Sequence, residues 1–436
     1  VEHHGENPPN NVIAIIPARY ASTRLPGKML LPIAGKPLIV HTVERAKAAA
    51  SINRVIVATD DERIVNAVSE FGNEAVLTSP SHKSGSDRIA EVARDLPDGS
   101  IIVNVQGDEP LIASDTIEAV VGTFLNGNGE HMATACGPLN GLSELLNFNI
   151  VKVALGEHGN ALYFSRSPMP FPREAAQRYD GDPNAAIQNE PDLCSIFRRH
   201  IGIYAYRREY LLEFANMHQT RLEKIELLEQ LRALENGAKI AVAETNEVSR
   251  GVDTREDYER VRDLIEAGID IRQVTREDLE RVAAVHVESW QRSFAGIAPD
   301  DFLNSMSVEK RLSVYSERRG EENYAMLVVE HPKVGIVGFA DFGTPKLPGN
   351  FDAQIFSFYF LPEFQRKGFG ERLFRRCVSR LTRDGVRSLC LDSLEISPYR
   401  SFYDNMGGRV VGRDIHKFGN EDFETVIYGW DDISKL

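Results

Sequence analysis

Cysteine and tryptophan are scarce in this chain, four and two among 436 residues. Cys136, Cys194, Cys377 and Cys390 stand far apart with no CxxC pair, which argues against a disulfide framework or a thiolate metal site. Such usage leads us to expect a reducing cytoplasm. Long apolar runs are missing too, so no segment is a candidate for membrane insertion as a helix. Positive charge is in deficit, with 50 Lys and Arg against 64 Asp and Glu, a formal charge of −14. A polyanion would meet net repulsion, which argues against general nucleic-acid binding. A local anion site remains possible, because the field inside a pocket is set by its nearest residues. The rest of the composition, 42% hydrophobic and 26% charged, is that of a globular protein, and the length is enough for two domains with separate cores.

The opening VEHHGENPPN reads as a polar leader over residues 1–10, and its His3 and His4 alone make a poor metal site. From residue 11 to 267, β-rich runs alternate with amphipathic ones: VIAII, PLIVHTVERAKAAA, RVIVATD, ERIVNAVSEF, IIVNVQ. That order predicts an α/β sheet with mostly parallel strands, and the near-continuous apolar strands imply helices on both faces. Ligands of such sheets bind beyond the carboxyl ends of the strands. PARYASTRLPGK, TDDE and QGDEP all follow strands directly, so they are expected on one edge. Near Gly268 the pattern restarts with IRQV and a second amphipathic helix, which predicts a second domain over 270–432. TREDYERV at 254 and TREDLERV at 275 read as two independent helix starts, each a Thr with Asp three residues on.

Within PARYASTRLPGK, Arg19, Arg24 and Lys28 bring three cations to a turn after a strand, and Gly27 permits close backbone approach. This suggests a triphosphate site. It is not a P-loop, since Ser22 stands where the first glycine is needed and Met29 follows the lysine. On spacing alone it reads equally as a solvated basic loop. Asp108 in QGDEP and Asp253 in GVDT are each a strand-end or turn aspartate, yet together they could hold Mg²⁺ beside substrate phosphates.

Taken in order, PARYASTRLPGK, SGSDR (84–88), QGDEP (106–110), YFSR ending at Arg166, RHIGIYAYR around His200 and GVDT form a set far more specific than any member. With its spacing, the set resembles CMP-Kdo synthetase, the 3-deoxy-manno-octulosonate (Kdo) cytidylyltransferase family, over residues 11 to 265. The resemblance implies a Rossmann-like nucleotidyltransferase domain that activates Kdo with CTP for lipopolysaccharide assembly, and a homodimer. It implies that Asp108 and Asp253 hold Mg²⁺, that Arg19, Ser22, Arg24 and Lys28 contact the triphosphate, and that Ala18, Ser84, Gly85 and Arg88 shape the cytosine pocket. Lys28, Asp108 and Asp253 are then the catalytic group. Ser86-Asp87-Arg88 stands where the family usually has Thr-Glu-Arg. Gln106, Arg166, His200, Tyr204, Glu226 and Gln230 match the family's sugar-binding positions. Read without the family, His200 is a structural histidine, and Glu226 with Gln230 are a solvated face of one helix, RLEKIELLEQLRALENG. The 8-amino analogue of Kdo stays open as substrate. A sialic acid is disfavoured by the segments around Arg166 and His200.

In the second domain, FDAQIFSFYFLPEFQRKGFGERLFRRCVSRL runs from a β-rich segment into Gln365, Arg366, Lys367, Gly368, Phe369 and Gly370 and then a helix. Successive N–H groups at such a helix start can cradle a pyrophosphate, although a bare glycine pattern is equally a plain strand-to-helix turn. With RSLCLDSL and PYRSFYDNMGGRVVG after it and HVESWQRSFAGI before it, the segment resembles the GNAT family of N-acetyltransferases over 270 to 430. This implies an α/β acetyl-CoA domain in which the six residues 365–370 bind the cofactor. Tyr403 then protonates the leaving thiolate, where the residues alone also allow a core aromatic. Many relatives carry a Glu near Gln354, a neutral amide here, so Asp341, Glu288 or a water chain is left as the base. The acceptor amine is open: the fusion suggests an amino sugar of the same pathway, and a non-catalytic acetyl-CoA-binding regulatory module is the rival.

Overall fold

The computed structural model describes residues 11–127, 129–139, 141–246, 251–418 and 421–436. The polar leader 1–10 lies outside the described residues. Contacts divide the chain into a unit ending at Tyr258 and one beginning at Glu259. The division falls inside the helix Arg255–Ala267, ahead of the 267/270 boundary expected from sequence. Its later turns belong with the second unit because Asp263 takes ion pairs from Arg372 (3.0 Å) and Arg376 (2.6 Å), and Glu259 accepts from Ser379 Oγ at 3.1 Å.

In the first unit, β1 (Val12–Ala18), β2 (Arg54–Thr59), β3 (Glu74–Leu77), β4 (Ile101–Asn104), β5 (Met132–Gly137), β6 (Lys152–Leu155), β7 (Ala161–Ser165), β8 (Arg199–Arg207) and β9 (Ile240–Glu244) make one sheet in the order β9-β5-β8-β4-β1-β2-β3, with β6 joined to β8 and β7. The β4-β1-β2-β3 part is parallel, as the alternating pattern predicts. The sheet becomes mixed where β8 runs antiparallel between β4 and β5. All seven residues of β1 are buried, so both faces are covered. Because β1, β2 and β4 point the same way, the segments after them come together at one edge.

In the second unit, β10 (Asp270–Gln273), β11 (Ala325–His331), β12 (Gly335–Gly343), β13 (Ala353–Phe360), β14 (Leu389–Leu394), β15 (Arg409–Phe418) and β16 (Glu421–Trp430) follow the order β10-β11-β12-β13-β14-β16-β15. The pairs are antiparallel except β13 with β14, which pair in parallel only at Ala353↔Leu389 and Gln354↔Cys390. Beyond those rungs both strands line a cavity of about 860 Å³. The helices Leu279–Ser293 and Val308–Arg318 each turn one stripe to it: His286, Ser289, Trp290 and Ser293 from the first, Arg311, Val314, Tyr315 and Arg318 from the second. That spacing of three, four and seven residues is one helical face. Among the described residues no helix is long and apolar enough to cross a membrane.

Candidate functional site

Lys28 is the hub of the first site. Ala18 ends β1 buried, and the following loop is drawn in by Ser22, whose Oγ accepts from the Leu25 N–H at 3.4 Å. Gly27 sits at φ 66, a left-handed conformation that costs a residue with a Cβ about 1–2 kcal/mol, and it tips the chain into the short turn Lys28–Leu30. The buried Lys28 Nζ then donates to Asp108 Oδ2 at 2.6 Å, to the Val252 carbonyl at 2.9 Å and to Asp253 Oδ1 at 3.1 Å. Arg24 reaches the other oxygen of Asp253 at 2.9 Å. Burial works to lower the Lys28 pKa, but the Asp108 and Asp253 carboxylates outweigh it and hold the ammonium above its usual value. Lys28 therefore stays charged.

Backbone bonds fix the two aspartates. Val252 donates to the Asp108 carbonyl at 2.8 Å. One oxygen of Asp257 accepts from the Asp253 N–H (3.1 Å), the Thr254 N–H (2.8 Å) and the Thr254 hydroxyl (2.8 Å), while Thr254 Oγ1 accepts from the Asp257 N–H, so the expected helix start also locks the loop that bears Asp253. Gly107 brings QGDEP against β1: a Cβ there would lie 2.8 Å from the Pro17 carbonyl oxygen.

The other residues expected to bind the nucleotide are held by bonds of their own. Arg19 donates to the His82 carbonyl at 2.9 Å. Ser84 caps the helix Gly85–Ala93 and exchanges two bonds with Asp87. Arg88 is fully buried and holds Asp60 at 2.8 Å and Thr78 Oγ1 at 2.5 Å, which brings TDDE to the same edge. Its guanidinium is thus spent on bracing.

The six residues expected to bind the sugar fall into two groups with His200 between them. Gln106, Tyr204 and Gln230 line a cavity of about 160 Å³, together with Gly85, Ser86 and Glu229. Glu226 instead accepts from Ser165 Oγ at 2.6 Å and the Arg166 N–H at 3.0 Å, and Arg166 donates to the carbonyls of Glu226 (2.8 Å) and Phe148 (3.0 Å). His200 lies between, 4.9 Å from the Phe164 ring and 5.5 Å from that of Tyr204. The Thr134 hydroxyl gives its proton to the Ile203 carbonyl at 2.7 Å, so its oxygen accepts from His200 Nε2 at 3.0 Å. Burial pushes the imidazole down to about 3 and keeps it neutral.

Glu226 and Gln230 do not share a helix, which corrects the single amphipathic helix expected there. Arg221–Glu226 and Gln230–Glu235 are separate, broken at Leu227 with φ 55. The buried pair Glu223–Arg232 fastens the two pieces across the break, Arg232 Nε donating to Glu223 Oε2 at 2.9 Å. Glu226 is thereby turned toward Arg166 and Gln230 into the cavity. Lys152, absent from the expected set, is fully buried on β6 and donates to the Asn147 and Arg166 carbonyls at 2.8 and 3.1 Å. A charged residue inside the apolar run IVKVAL was its signal. The described residues hold no cluster of three or more His, Cys, Asp or Glu fit for a metal ion, so Asp108 and Asp253 remain a carboxylate pair.

In the second unit, Gln365, Arg366, Gly368 and Gly370 line the large cavity, whereas Lys367 stacks on Phe364 at 5.2 Å and the Phe369 side chain is buried in the core. Arg366 and Gly368 both have positive φ, 56 and 79, and coil the chain into the helix Phe369–Arg383. Gln365 Nε2 donates to the Phe360 carbonyl at 3.0 Å, which ties the turn to β13. Tyr403 also lines the cavity, and burial first, then Tyr359 and Asp392, push its phenol up so that it keeps its proton. Gln354 accepts from the Lys346 and Leu347 N–H groups at 2.8 and 3.1 Å and braces that loop. Asp341 is buried against Arg318 (3.1 Å) and Tyr324 (3.0 Å), and Glu288 pairs with Arg292 at 2.8 Å; neither is among the lining residues. His286 and Asp392, which the sequence did not single out, are.

A family model described as cytidylyltransferase matches residues 13–240, and one described as acetyltransferase (GNAT) family matches residues 287–407. The 3-deoxy-manno-octulosonate cytidylyltransferase of Trichlorobacter lovleyi is 48% identical over 257 residues, 59% of this chain and 99% of the relative. That of Pelobacter propionicus is 49% identical over 257 residues, 59% of this chain and 98% of the relative. The solved structure of a CMP:2-keto-3-deoxy-manno-octonic acid synthetase complexed with CTP covers 58% of this chain and 98% of its own, at 38% identity and a TM-score of 0.52. With a matched segment that spans just over half its length and relatives that it covers almost entirely, the chain belongs to the cytidylyltransferase family, and it carries a GNAT-family acetyltransferase domain behind that region.

Proposed function

We propose that the first unit transfers CMP from CTP to the anomeric hydroxyl of Kdo, a step that activates the sugar for lipopolysaccharide assembly. The observation that carries this reading is the Lys28 ammonium joining Asp108 and Asp253, three groups from distant parts of the chain, at the edge where strand ends gather. The sugar oxygen bonds to the α-phosphorus as the bond to the bridging oxygen of the β-phosphate breaks; pyrophosphate leaves and the hydroxyl proton passes to solvent. Lys28, Arg24 and Arg19 supply positive charge to the triphosphate. Asp108 and Asp253 are hard oxygen donors suited to Mg²⁺, which takes one or two carboxylates beside phosphate oxygens. When bound, Mg²⁺ would neutralise phosphate charge and make the sugar hydroxyl more acidic. Ala18, Ser84 and Gly85 lie beside the expected cytosine position. Arg166 carries a guanidinium bonded only to carbonyls and is our choice for the sugar carboxylate, with Gln106, His200, Tyr204 and Gln230 for its hydroxyls. We place the enzyme in the cytoplasm as a homodimer. Pyrophosphate release from CTP with Kdo, 8-amino-Kdo and sialic acid, measured side by side, tests the reading. Turnover with Kdo or its 8-amino analogue is expected, and a preference for sialic acid overturns it.

The second unit, in this reading, transfers an acetyl group from acetyl-CoA to a primary amine. The amine nitrogen forms a bond to the acetyl carbon as the C–S bond breaks, the thiolate takes the Tyr403 proton, and the nitrogen sheds one proton. The Gln365–Gly370 turn would hold the pyrophosphate of the cofactor through its backbone. A non-catalytic acetyl-CoA-binding role is favoured by one observation: Gln354 is occupied with backbone amides and cannot serve as a base. Coenzyme A binding without acetyl transfer to any amine would support that alternative.

A further inference from the structure

Five Arg and Lys side chains line the large cavity of the second unit: Arg311, Arg318, Lys346, Arg366 and Lys417. Three of them are neutralised locally, Arg318 by Asp341 at 3.1 Å, Lys346 by Glu321 at 3.5 Å and Lys417 by Asp422 at 3.6 Å. Arg311 and Arg366 have no carboxylate partner among the described residues. Arg366 belongs to the turn that begins the helix Phe369–Arg383, the end assigned to the cofactor phosphates. Arg311 lies on a different element, the stripe of helix Val308–Arg318, and its charge is felt by His286, Tyr315 and Tyr359 of the cavity wall.

The same cavity holds two more polar atoms with nothing to bind among the described residues. His286 is 4% exposed and Ser289 is 2% exposed, both line the cavity, and neither His286 Nε2 nor Ser289 Oγ has a hydrogen-bond partner among the described residues. An orphaned buried donor costs about 1–3 kcal/mol, so such atoms point to a ligand that completes them. Tyr315 lies 2.5 Å from His286 Nδ1. With the phenol donating there, the imidazole, which burial and Arg311 hold neutral, carries its proton on Nε2 and offers a donor to the cavity. A guanidinium, an imidazole N–H and a hydroxyl form a donor set for a carboxylate. The rest of the wall, Trp290, Phe302, Phe356 and Tyr359 among it, is aromatic and suits an apolar body. Asp392 on β14 adds a carboxylate to the same cavity, a pole of the opposite sign for an amine.

We propose that the acetyl acceptor of the second unit is a primary amine that also carries a carboxylate, and that Arg311, with His286 and Ser289, binds this acid group. The proposal rests on the reading of this unit as an acetyl-CoA-dependent transferase. It disfavours polyamines and neutral amino sugars, and it retains amino sugar acids and amino acids.

The test uses the full chain with acetyl-CoA and acceptor pairs that differ only at the acid: L-phenylalanine and L-phenylalaninamide, L-methionine and L-methioninamide, glucosaminuronic acid and glucosamine. Coenzyme A release is expected to give a kcat/KM at least tenfold higher for the acid in one or more pairs. Arg311→Met should erase that preference through KM, Arg311→Lys should keep part of it, and unchanged coenzyme A binding by the second unit reports that the variants fold. A neutral member favoured in every productive pair overturns the proposal. If coenzyme A binds and no amine reacts, the transferase reading fails by itself, and Trp290 fluorescence of the coenzyme A complex then decides the site: quenching by an acid and not by its amide, lost in Arg311→Met, supports it, and no acid-selective quenching overturns it.

Discussion

Val252 donates its backbone N–H to the carbonyl oxygen of Asp108 at 2.8 Å, and the Val252 carbonyl accepts in turn from Lys28 Nζ at 2.9 Å. This backbone link, together with the Asp257 carboxylate that holds the Asp253 and Thr254 N–H groups, sets how far Asp253 stands from Asp108. The charged groups are added to a gap already fixed, which is how a site can be preorganised for charge that develops only during reaction.

Lys28→Met should lower kcat/KM for CTP by about 10²–10³-fold, the usual cost of removing one preorganised charge-stabilising donor. Its partners are part exposed, at 27% and 49% of their side chains, so water takes over much of their solvation and the stability change should stay within about 1 kcal/mol. Pyrophosphate release and urea unfolding of the same preparation check both halves. A fall of less than threefold would refute the assignment of Lys28.

Gly107→Ala would place a Cβ 2.8 Å from the Pro17 carbonyl oxygen and 3.1 Å from Ile39 Cδ1. Backbone cannot yield as a side-chain tip can, so a loss of about 1–3 kcal/mol is expected, with a drop in pyrophosphate release as Asp108 is pushed off Lys28. An active variant with an unchanged urea midpoint would show that the approach of QGDEP to β1 matters little.

His200 is held near 3 in the folded chain against about 6.5 when unfolded, so between those values the unfolded state binds the extra proton. Stability from this group is complete above pH 6.5 and is lost as pH falls toward 3, with a slope of at most about 1.4 kcal/mol per pH unit. Urea midpoints at pH 7 and pH 5 should therefore lie further apart in the native chain than in His200→Gln. Equal separations would mean that the imidazole is not desolvated.

Tyr403→Phe should cut acetyl transfer by about 10²–10⁴-fold and leave coenzyme A affinity unchanged, because the ring stays and only the proton donor goes. Calorimetry of coenzyme A binding beside thiol release measures the two separately. Equal losses in both would assign Tyr403 to packing against Tyr428, 5.5 Å away, instead of to chemistry.

Much of this was legible in the sequence because strand ends of a parallel sheet are close in space wherever they stand in the chain. VIAII, VIVA and IIVNV announced parallel strands, which the structure places side by side, and PARYASTRLPGK, TDDE and QGDEP duly share an edge, with Lys28 on Asp108 and Arg88 on Asp60. The break at Leu227 was not legible, since RLEKIELLEQLRALENG has no Pro, has no Gly before the closing Gly237, and keeps a continuous helical period. Tertiary bonding of Glu223 to Arg232 overrides local preference there. Arg88 shows the same limit: its position was readable, but full burial against Asp60 and Thr78 depends on neighbours that no spacing reveals. His286 was passed over because a histidine on an apolar helical face has no signature until its second nitrogen is found without a partner.

The Asp257 carboxylate oxygen that gathers Asp253 N–H, Thr254 N–H and the Thr254 hydroxyl holds a helix start and the loop of Asp253 at once. A substitution there cannot loosen the first turn of the helix without also swinging the loop that bears Asp253. Any attempt to engineer the helix for thermal robustness will therefore be read out, for better or worse, in the aim of Asp253.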